Sequence, residues 1–230
     1  MSILNPKFHF DVQQRTPEWY ALRDGVITGT KAKSILGKIT LAKTQDAINN
    51  LAMRLAIESV YGMIESDYVD FDMQRGIDME PRAFELLQDK LAQDFIQMDK
   101  VGFVSLGDHL GTSPDGVAIG EAGVEIKCPT AENFFKYVLS GIVKPEYYTQ
   151  MQHGMLCMGY DKFYFHNYCV HLGKEYTHTM IVKRDEEMIK LISERSDMVI
   201  NLKLKHIEKL KAEADDQSIR MYVKKGGEAE

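Results

Sequence analysis

Residues 111–129 read GTSPDGVAIGEAGVEIKCP, and their pattern decides the fold. Asp115 ends a Ser-Pro-Asp-Gly turn, and Glu125, Ile126 and Lys127 follow ten residues later. Two short apolar segments, Gly116–Ile119 and Val124–Cys128, flank Gly120-Glu121-Ala122-Gly123, which suits a hairpin turn. A hairpin folds the chain back, so Asp115 and Glu125 fall on adjacent strands within reach of one cation. Side chains alternate along a strand, so Glu125 and Lys127 share a face while Ile126 turns into the core.

Two carboxylates and an ammonium on one side of a sheet are costly to gather unless something binds there. A hard divalent cation satisfies the acids, and Mg²⁺ needs few protein ligands when waters and a substrate phosphate complete its shell. Such an ion polarises a phosphoryl oxygen and acidifies water, and a second ion about 3.5–4 Å away stabilises the leaving oxygen. Lys127 would position or deprotonate the attacking water, or neutralise charge on the phosphorus. This is phosphodiester hydrolysis chemistry. The pattern D-x(n)-E-x-K alone is loose, since an exposed hairpin with a salt bridge also satisfies it. The hairpin context, Pro114 before the acid and Pro129 after Lys-Cys favour a site.

Outward from the hairpin, Val101–Leu106, Phe163–Val170 and Tyr176–Val182 read as further strands, rich in β-branched and aromatic residues. Ala131–Ser140 and Pro145–Met158 read as helices, and a long amphipathic helix follows Asp185 to the Lys211 region. Upstream, QRTPEWYALRDGVITGTKAKSIL predicts two short helices joined by a glycine turn, with Thr28 capping the second. Apolar residues recur at helical spacing from Thr44, a candidate cap, to about Tyr61. Another helix is expected from about Ile77 to Gln93, with Ala83, Phe84, Leu87 and Leu91 as its stripe and Pro81 in its first turn. This order predicts an α/β sandwich with a mixed sheet.

The 230 residues suit one domain, residues 1–212, followed by a polar tail over 213–230 whose final KKGGEAE is expected to be flexible. Lys and Arg total 28 against 34 acids, a net charge of −6, which argues against a stoichiometric DNA coat but not against an enzyme with a local positive groove. Lys31, Lys33, Lys38 and Lys43 form one local excess, either a solvated helix face or a phosphate contact. Three widely spaced cysteines fit neither a disulfide framework nor a zinc site, and an iron–sulfur centre needs four. Neither a signal peptide nor a membrane span is recognisable, so a cytoplasmic protein is expected.

Five blocks then point to a family: EWYALRDGVITGTKAKSIL, RGIDMEPRAFELL, TSPDG, GVEIKCP and YYTQMQHGML. In order and spacing the chain resembles the bacteriophage lambda exonuclease group, the YqaJ-type viral recombinases, within the PD-(D/E)XK nuclease superfamily. The resemblance spans roughly residues 15–185. It implies a PD-(D/E)XK restriction-endonuclease-like core, a central mixed β-sheet flanked by helices. Asp115 and Glu125 would be the metal-binding carboxylates, with the Ile126 carbonyl as a further ligand and Glu80 as an additional acid. Lys127 would be the catalytic lysine and Gln150 a helical glutamine that orders the site. Arg23, Thr30 and Ser113 fall where the family builds a pocket for the 5′-phosphate of a DNA end. A first-turn threonine and a nearby arginine are also physically apt anion ligands.

Each assignment has a structural alternative. Glu80 could be an acid favoured at a helix N-terminus. Gln150 could lie on the surface or be buried, and Arg23 could pair with Asp24 or Glu18. Trp19 and the Met151/Met155/Met158 stripe read as core rather than a base-stacking platform, and His153 and His166, which show no metal-ligand spacing, as structural or exposed. The chain departs from the family in carrying Thr30 for serine. It also has Glu132 or Asn133 where a basic residue contacts DNA near the strand-separation point.

The implied activity is Mg²⁺-dependent (two ions, Mn²⁺ the alternative) 5′-3′ degradation of one strand from double-stranded DNA ends. It would release mononucleotides and leave 3′ tails for a single-strand annealing protein of RecT/Beta type. A homotrimeric ring, acting in the cytoplasm of a bacterial host and encoded by a phage or prophage, is the implied setting. An endonuclease on the same core and a catalytically silent DNA-end-binding module are the alternatives.

Overall fold

The computed structural model describes residues 5–36, 41–62 and 71–215. In chain order the elements are β1 (Pro6–His9), α1 (Pro17–Arg23), α2 (Gly29–Leu36), α3 (Leu41–Tyr61), α4 (Phe71–Gln93), β2 (Met98–Asp99), β3 (Phe103–Leu106) and β4 (Leu110–Thr112). There follow β5 (Gly116–Ala118), β6 (Ala122–Lys127), α5 (Ala131–Ser140), α6 (Pro145–Met158), β7 (Lys162–His171), β8 (Lys174–Lys183) and α7 (Glu186–Asp215).

The acidic turn opens the expected hairpin: β5 and β6 pair antiparallel, Gly116 opposite Val124 and Ala118 opposite Ala122. Its tight end is Ile119-Gly120-Glu121 rather than Gly120–Gly123. Gly120 takes φ +71°, and the Glu121 amide donates to Ala118 O at 2.9 Å. Gly123 stays in the strand because the Phe163 ring lies against it, where a Cβ would fall 2.2 Å from Cζ.

β6 pairs parallel with β7, Lys127 opposite Asn167, and every other pairing in the sheet order β2-β5-β6-β7-β8 is antiparallel. The sheet is therefore mixed, as expected. A parallel pair needs a crossover, which α5 and α6 supply. One face of the sheet packs α4, where Ala83, Phe84, Leu87 and Leu91 meet Val124, Ile126, Tyr164 and Tyr168. The other face packs α5 and α6, where Tyr137, Met151, Met155 and Met158 meet Val117, Phe163 and Phe165. The methionine stripe is thus core, each buried side chain contributing roughly 1.5–3 kcal/mol. β7 is buried from Phe163 to Cys169, as a strand covered on both faces must be. A third cluster joins α2, α3 and α7 through Ile35, Ile48, Leu51, Leu55 and Val199.

A second, antiparallel sheet of order β1-β3-β4 has no mark in the sequence. Its strands are too short to show a period. Through β4 it holds the chain after α1: the Ile27 amide donates to His109 O at 2.8 Å and the Gly111 amide to Ile27 O at 3.1 Å.

Two helix starts lie upstream of their expected positions. α3 begins at Leu41, so Thr44 is inside it rather than capping it. α4 begins at Phe71, so Pro81 sits in its interior. Proline there deprives the Ile77 carbonyl of its amide donor, and the buried stripe from Ala83 to Leu91 holds the helix together regardless. Thr28 does precede α2, its carbonyl accepting the Lys31 and Ala32 amides, while its hydroxyl meets that of Thr30 at 3.1 Å.

Lys31 is neither solvated nor free for phosphate, because it is bound to Glu58 at 2.6 Å. Lys33 is exposed, Lys38 lies outside the described residues, and so does the side chain of Lys43. The tail beyond Asp215, KKGGEAE included, also lies outside them. Among the described residues no helix is long and apolar enough to cross a membrane.

Candidate active site

The hairpin register sets Asp115 beside Glu125. The Asp115 amide donates to Val124 O at 3.0 Å, and its Oδ2 accepts the Ile126 amide at 2.6 Å. Ile126 points to the α4 side and is 4% exposed. Glu125 points the other way and is also buried, at 1% exposed, because α6 covers it. Gln150 of α6 donates Nε2 to Glu125 Oε2 at 3.0 Å. Gly29 at the start of α2 permits that approach, since a Cβ there would lie 2.9 Å from Gln150 Cγ. Gln150 is therefore neither a surface residue nor a plain core residue. Lys127 Nζ lies 2.5 Å from Glu125 Oε1. That oxygen is shut off from solvent, and the contact is an ion pair without hydrogen-bond angles.

Glu80 lies deep in α4 rather than at its N-terminus, so a favourable helix-end field does not explain it. It is half-buried, and its pKa is raised by burial and then by the Asp115 charge. Burial likewise raises Asp115, against the pull of Lys127. Glu125 is pushed up to about 7, by burial first, with the Asp115 and Glu80 charges adding and Lys127 opposing. Burial works against the Lys127 ammonium, but the Glu125 and Asp115 charges outweigh it and hold its pKa above the ordinary lysine value. All three acids are raised by burial first, so each has given up solvation that a bound cation would replace.

Among the described residues no group of three or more His, Cys, Asp or Glu side chains is arranged to hold a metal ion. The donor set nonetheless fits a hard divalent cation. Asp115, Glu125 and the Ile126 carbonyl are oxygen donors, and Mg²⁺ is held by one or two carboxylates with waters and substrate phosphate. The buried Glu125 Oε1, satisfied only by an ion pair, is the atom such a cation would serve.

Above these residues opens a cleft of about 580 Å³ between α1, α4, β6, α5 and α6. Its lining carries Arg15, Arg75, Lys127 and Lys144 against one carboxylate, Glu80. A chain of net charge −6 thus presents a locally cationic groove, in a different place from the lysine stretch read in the sequence. Arg75 steadies the end of β6 through Nη2 to Cys128 O at 3.3 Å, and Lys127 lies 5.1 Å from the Tyr147 ring centroid. Asn133 lines the cleft, whereas Glu132 is exposed and bound to Lys136 at 2.6 Å.

A second group of residues adjoins the cleft at Trp19. Arg23 does not pair with Asp24 or Glu18. Its guanidinium stacks 4.0 Å over the Trp19 ring, and Nη1 donates to Ser113 Oγ at 2.9 Å. Trp19 is half-buried on the cleft wall rather than in the core, with Nε1 donating to Ser113 Oγ at 3.0 Å and Gly102 O at 2.9 Å. Ser113 Oγ accepts two bonds, so its proton is free to donate outward. Arg23 Nε is buried without a partner, and burial lowers its pKa to about 10 against the pull of Glu58, which still leaves it charged at neutral pH. An uncommitted hydroxyl and a cation with a spare donor suit an anion. Thr30 is exposed in the first turn of α2, bonded to Thr28 rather than to Arg23 or Ser113.

The loop between α1 and α2 is held from behind by a network that sequence reasoning missed. Glu58, 2% exposed, binds Lys31 at 2.6 Å, Arg54 at 3.1 Å and the Gly25 amide at 3.2 Å, while Lys203 donates to Gly25 O at 2.8 Å. Of the two readings open for His153, structural rather than exposed is the one found. Its Nε2 lies between Ile27 O at 3.1 Å and Gly111 O at 3.0 Å, so it carries the proton, and burial lowers its pKa to about 4. His166, bonded to Thr179 at 2.9 Å, is likewise lowered to about 4 by burial.

A mixed sheet between helices, with an acid–acid–lysine hairpin whose Ile126 and Lys127 line a cleft, defines a PD-(D/E)XK-like α/β domain. Within that class, the chain belongs to the YqaJ-like viral recombinase domain family, whose model matches residues 18–161. No curated protein sequence matches it. It is similar to an alkaline exonuclease, LHK-Exo, from Laribacter hongkongensis, at 27% identity and TM-score 0.69, covering 86% of this chain and 98% of that one. The structure of LHK-Exo in complex with dAMP matches over the same shares with TM-score 0.70. A phage-related exonuclease from Haemophilus somnus 129PT shares the fold, at 16% identity and TM-score 0.55 over 83% of this chain and 96% of its own.

Proposed function

We propose that this chain is a metal-dependent deoxyribonuclease that degrades one strand of duplex DNA from a 5′ end, releasing mononucleotides and leaving 3′ single-stranded tails. The observation that carries the reading is the convergence of Asp115, Glu125, Lys127, Gln150 and Glu80 beside a cationic cleft that Lys127 and Glu80 line. The similarity to LHK-Exo, and its complex with a mononucleotide, supports exonuclease action and its product.

Asp115, Glu125 and the Ile126 carbonyl would hold the cation, Mg²⁺ with Mn²⁺ as the alternative, and Glu80 would be an additional acid of a site that takes two ions. When bound, the cation supplies Lewis acidity at a phosphoryl oxygen and an activated water. Gln150 keeps the Glu125 carboxylate in one orientation. Lys127, held protonated by two acids, acts as an ammonium that orients the attacking water and offsets charge on the phosphorus. Arg23 and Ser113, with Thr30 at the helix start, would receive the terminal 5′-phosphate. The cleft would guide the strand by contacts to its phosphates, which carry no sequence information. We further propose, from the family resemblance, a homotrimeric ring and a RecT/Beta-like annealing partner that takes the 3′ tail. The setting would be recombination in the cytoplasm of a phage host.

Linear duplex DNA labelled at either the 5′ or the 3′ end, incubated beside a closed circle, tests the polarity. Prompt release of 5′ label with the circle intact is the expected result. A cut circle would replace this reading with an endonuclease. Intact DNA bound by the protein would replace it with a silent end-binding module.

A further inference from the structure

Of the cleft cations, Lys127 belongs to the hairpin motif, Arg75 is bonded to Cys128 O and Lys144 lies 5.8 Å from the Tyr147 ring centroid, which leaves Arg15 to account for. It sits in a tight turn with φ +68°, a left-handed conformation that glycine or asparagine adopts more easily than arginine. The turn is held on both sides. Thr16 Oγ1 donates to Gln13 O at 2.8 Å and accepts the Trp19 amide at 3.4 Å, capping α1. Gln14 Nε2 donates to Pro114 O at 2.9 Å and Val101 O at 3.3 Å, which ties the turn to the residue before Asp115.

The Arg15 side chain is exposed and lines the cleft. Among the described residues no hydrogen bond or ion pair engages it. Its charge is nonetheless felt by Glu80 and Asp115. A strained turn, fastened to the acidic loop, thus presents an unpaired guanidinium to the cleft that Glu80 also lines.

Resting on the proposed nuclease reading, we infer that Arg15 is a substrate contact, binding non-bridging oxygens of a DNA backbone phosphate in the cleft. It lines the same cleft as Trp19, the residue on which Arg23 stacks. A guanidinium offers two parallel donors to one phosphate, which an ammonium cannot do. It also sits where it would offset the repulsion between DNA and the three carboxylates.

The strained φ makes the test clean, because Arg15→Gly removes the side chain at a position whose backbone favours glycine. Full-length wild type, Arg15→Gly and Arg15→Lys are compared for melting temperature, for binding of duplex DNA in EDTA across a salt series, and for KM and kcat in Mg²⁺. Arg15→Gly is expected to melt no lower than wild type, to raise KM roughly 10-fold, and to reduce the slope of log affinity against log salt by about 1. Arg15→Lys should keep the wild-type slope but recover the affinity only in part. Wild-type affinity and slope in Arg15→Gly would overturn the inference. So would a clear fall in its melting temperature, which would place the side chain in service of the fold. A wild type that hydrolyses no DNA would remove the proposed function, and the binding comparison alone would then decide Arg15.

Discussion

Asp115 accepts the amide of Ile126 at 2.6 Å. That donor lies between the two charged residues of β6, Glu125 and Lys127, so the bond fixes the acid of the turn against the acid and base of the strand. Sheet register and site geometry are therefore one feature. A slip of one residue would turn Glu125 to the α4 face and Ile126 to the α6 face.

Lys127→Met should lower the hydrolysis rate about 100- to 1,000-fold, as for loss of one preorganised charge donor. Cation binding should not weaken, because the substitution frees Glu125 Oε1 of its present partner. Single-turnover rates beside calorimetric Mn²⁺ titration separate the two effects. Wild-type turnover would remove Lys127 from the mechanism.

Glu125 should make the metal-free protein less stable as pH rises. Its pKa stands at about 7 when folded, against 4.5 for the free side chain. Between those values the folded chain holds a proton that the unfolded chain has released, so stability falls with increasing pH across the window. Asp115 and Glu80 shift the same way. Outlying carboxylates such as Glu175, held at about 2 by hydrogen bonds from Arg82 and Tyr168, act with the opposite sign. The Glu125 contribution is therefore read as a difference. The melting temperature of Glu125→Gln minus that of wild type should grow from pH 5 to pH 7, both within the window. A constant difference would contradict the burial account.

Arg23→Ala should reduce discrimination between 5′-phosphorylated and 5′-hydroxyl ends by roughly 10- to 100-fold, the worth of one charged hydrogen bond. Ser113→Ala should act in the same direction and less, since Arg23 keeps its stacking on Trp19. Initial rates on the two kinds of end measure both. An unchanged ratio would move the phosphate pocket elsewhere.

Glu58→Ala should cost about 3–5 kcal/mol of folding free energy, because it leaves the buried Lys31 ammonium without its partner. Urea unfolding in EDTA reads this without the metal site. A loss below about 1 kcal/mol would mean that Lys31 finds solvent on its own.

The hairpin could be read from the chain because its signals are local. Turn residues, alternation and a pair of charges fall within the span from Asp115 to Lys127, and α5 and α6 were bounded by equally local marks. What escaped was non-local. β1 pairs with β3 across nearly the whole first half of the chain, and the Lys203–Gly25 bond joins residues 178 apart. Trp19 was misplaced because its composition suits a core, whereas its two acceptors, Gly102 and Ser113, hold it on a cleft wall. Arg15 gave no sequence signal, since a positive φ in arginine follows no residue pattern. The length of α4 was underestimated because Pro81 argues for a helix start, and only packing against the sheet shows that the helix runs through it.

On the proposed function, Asp115 and Glu125 hold the cation that drives hydrolysis. The direct measurement is nucleotide release from linear duplex DNA by wild type, Asp115→Asn and Glu125→Gln, in Mg²⁺ and in EDTA. Circular dichroism and melting curves run alongside. Release by wild type in Mg²⁺ only is expected, and none by either variant at wild-type or higher melting temperature. Release at the wild-type rate by a folded Glu125→Gln protein would contradict it.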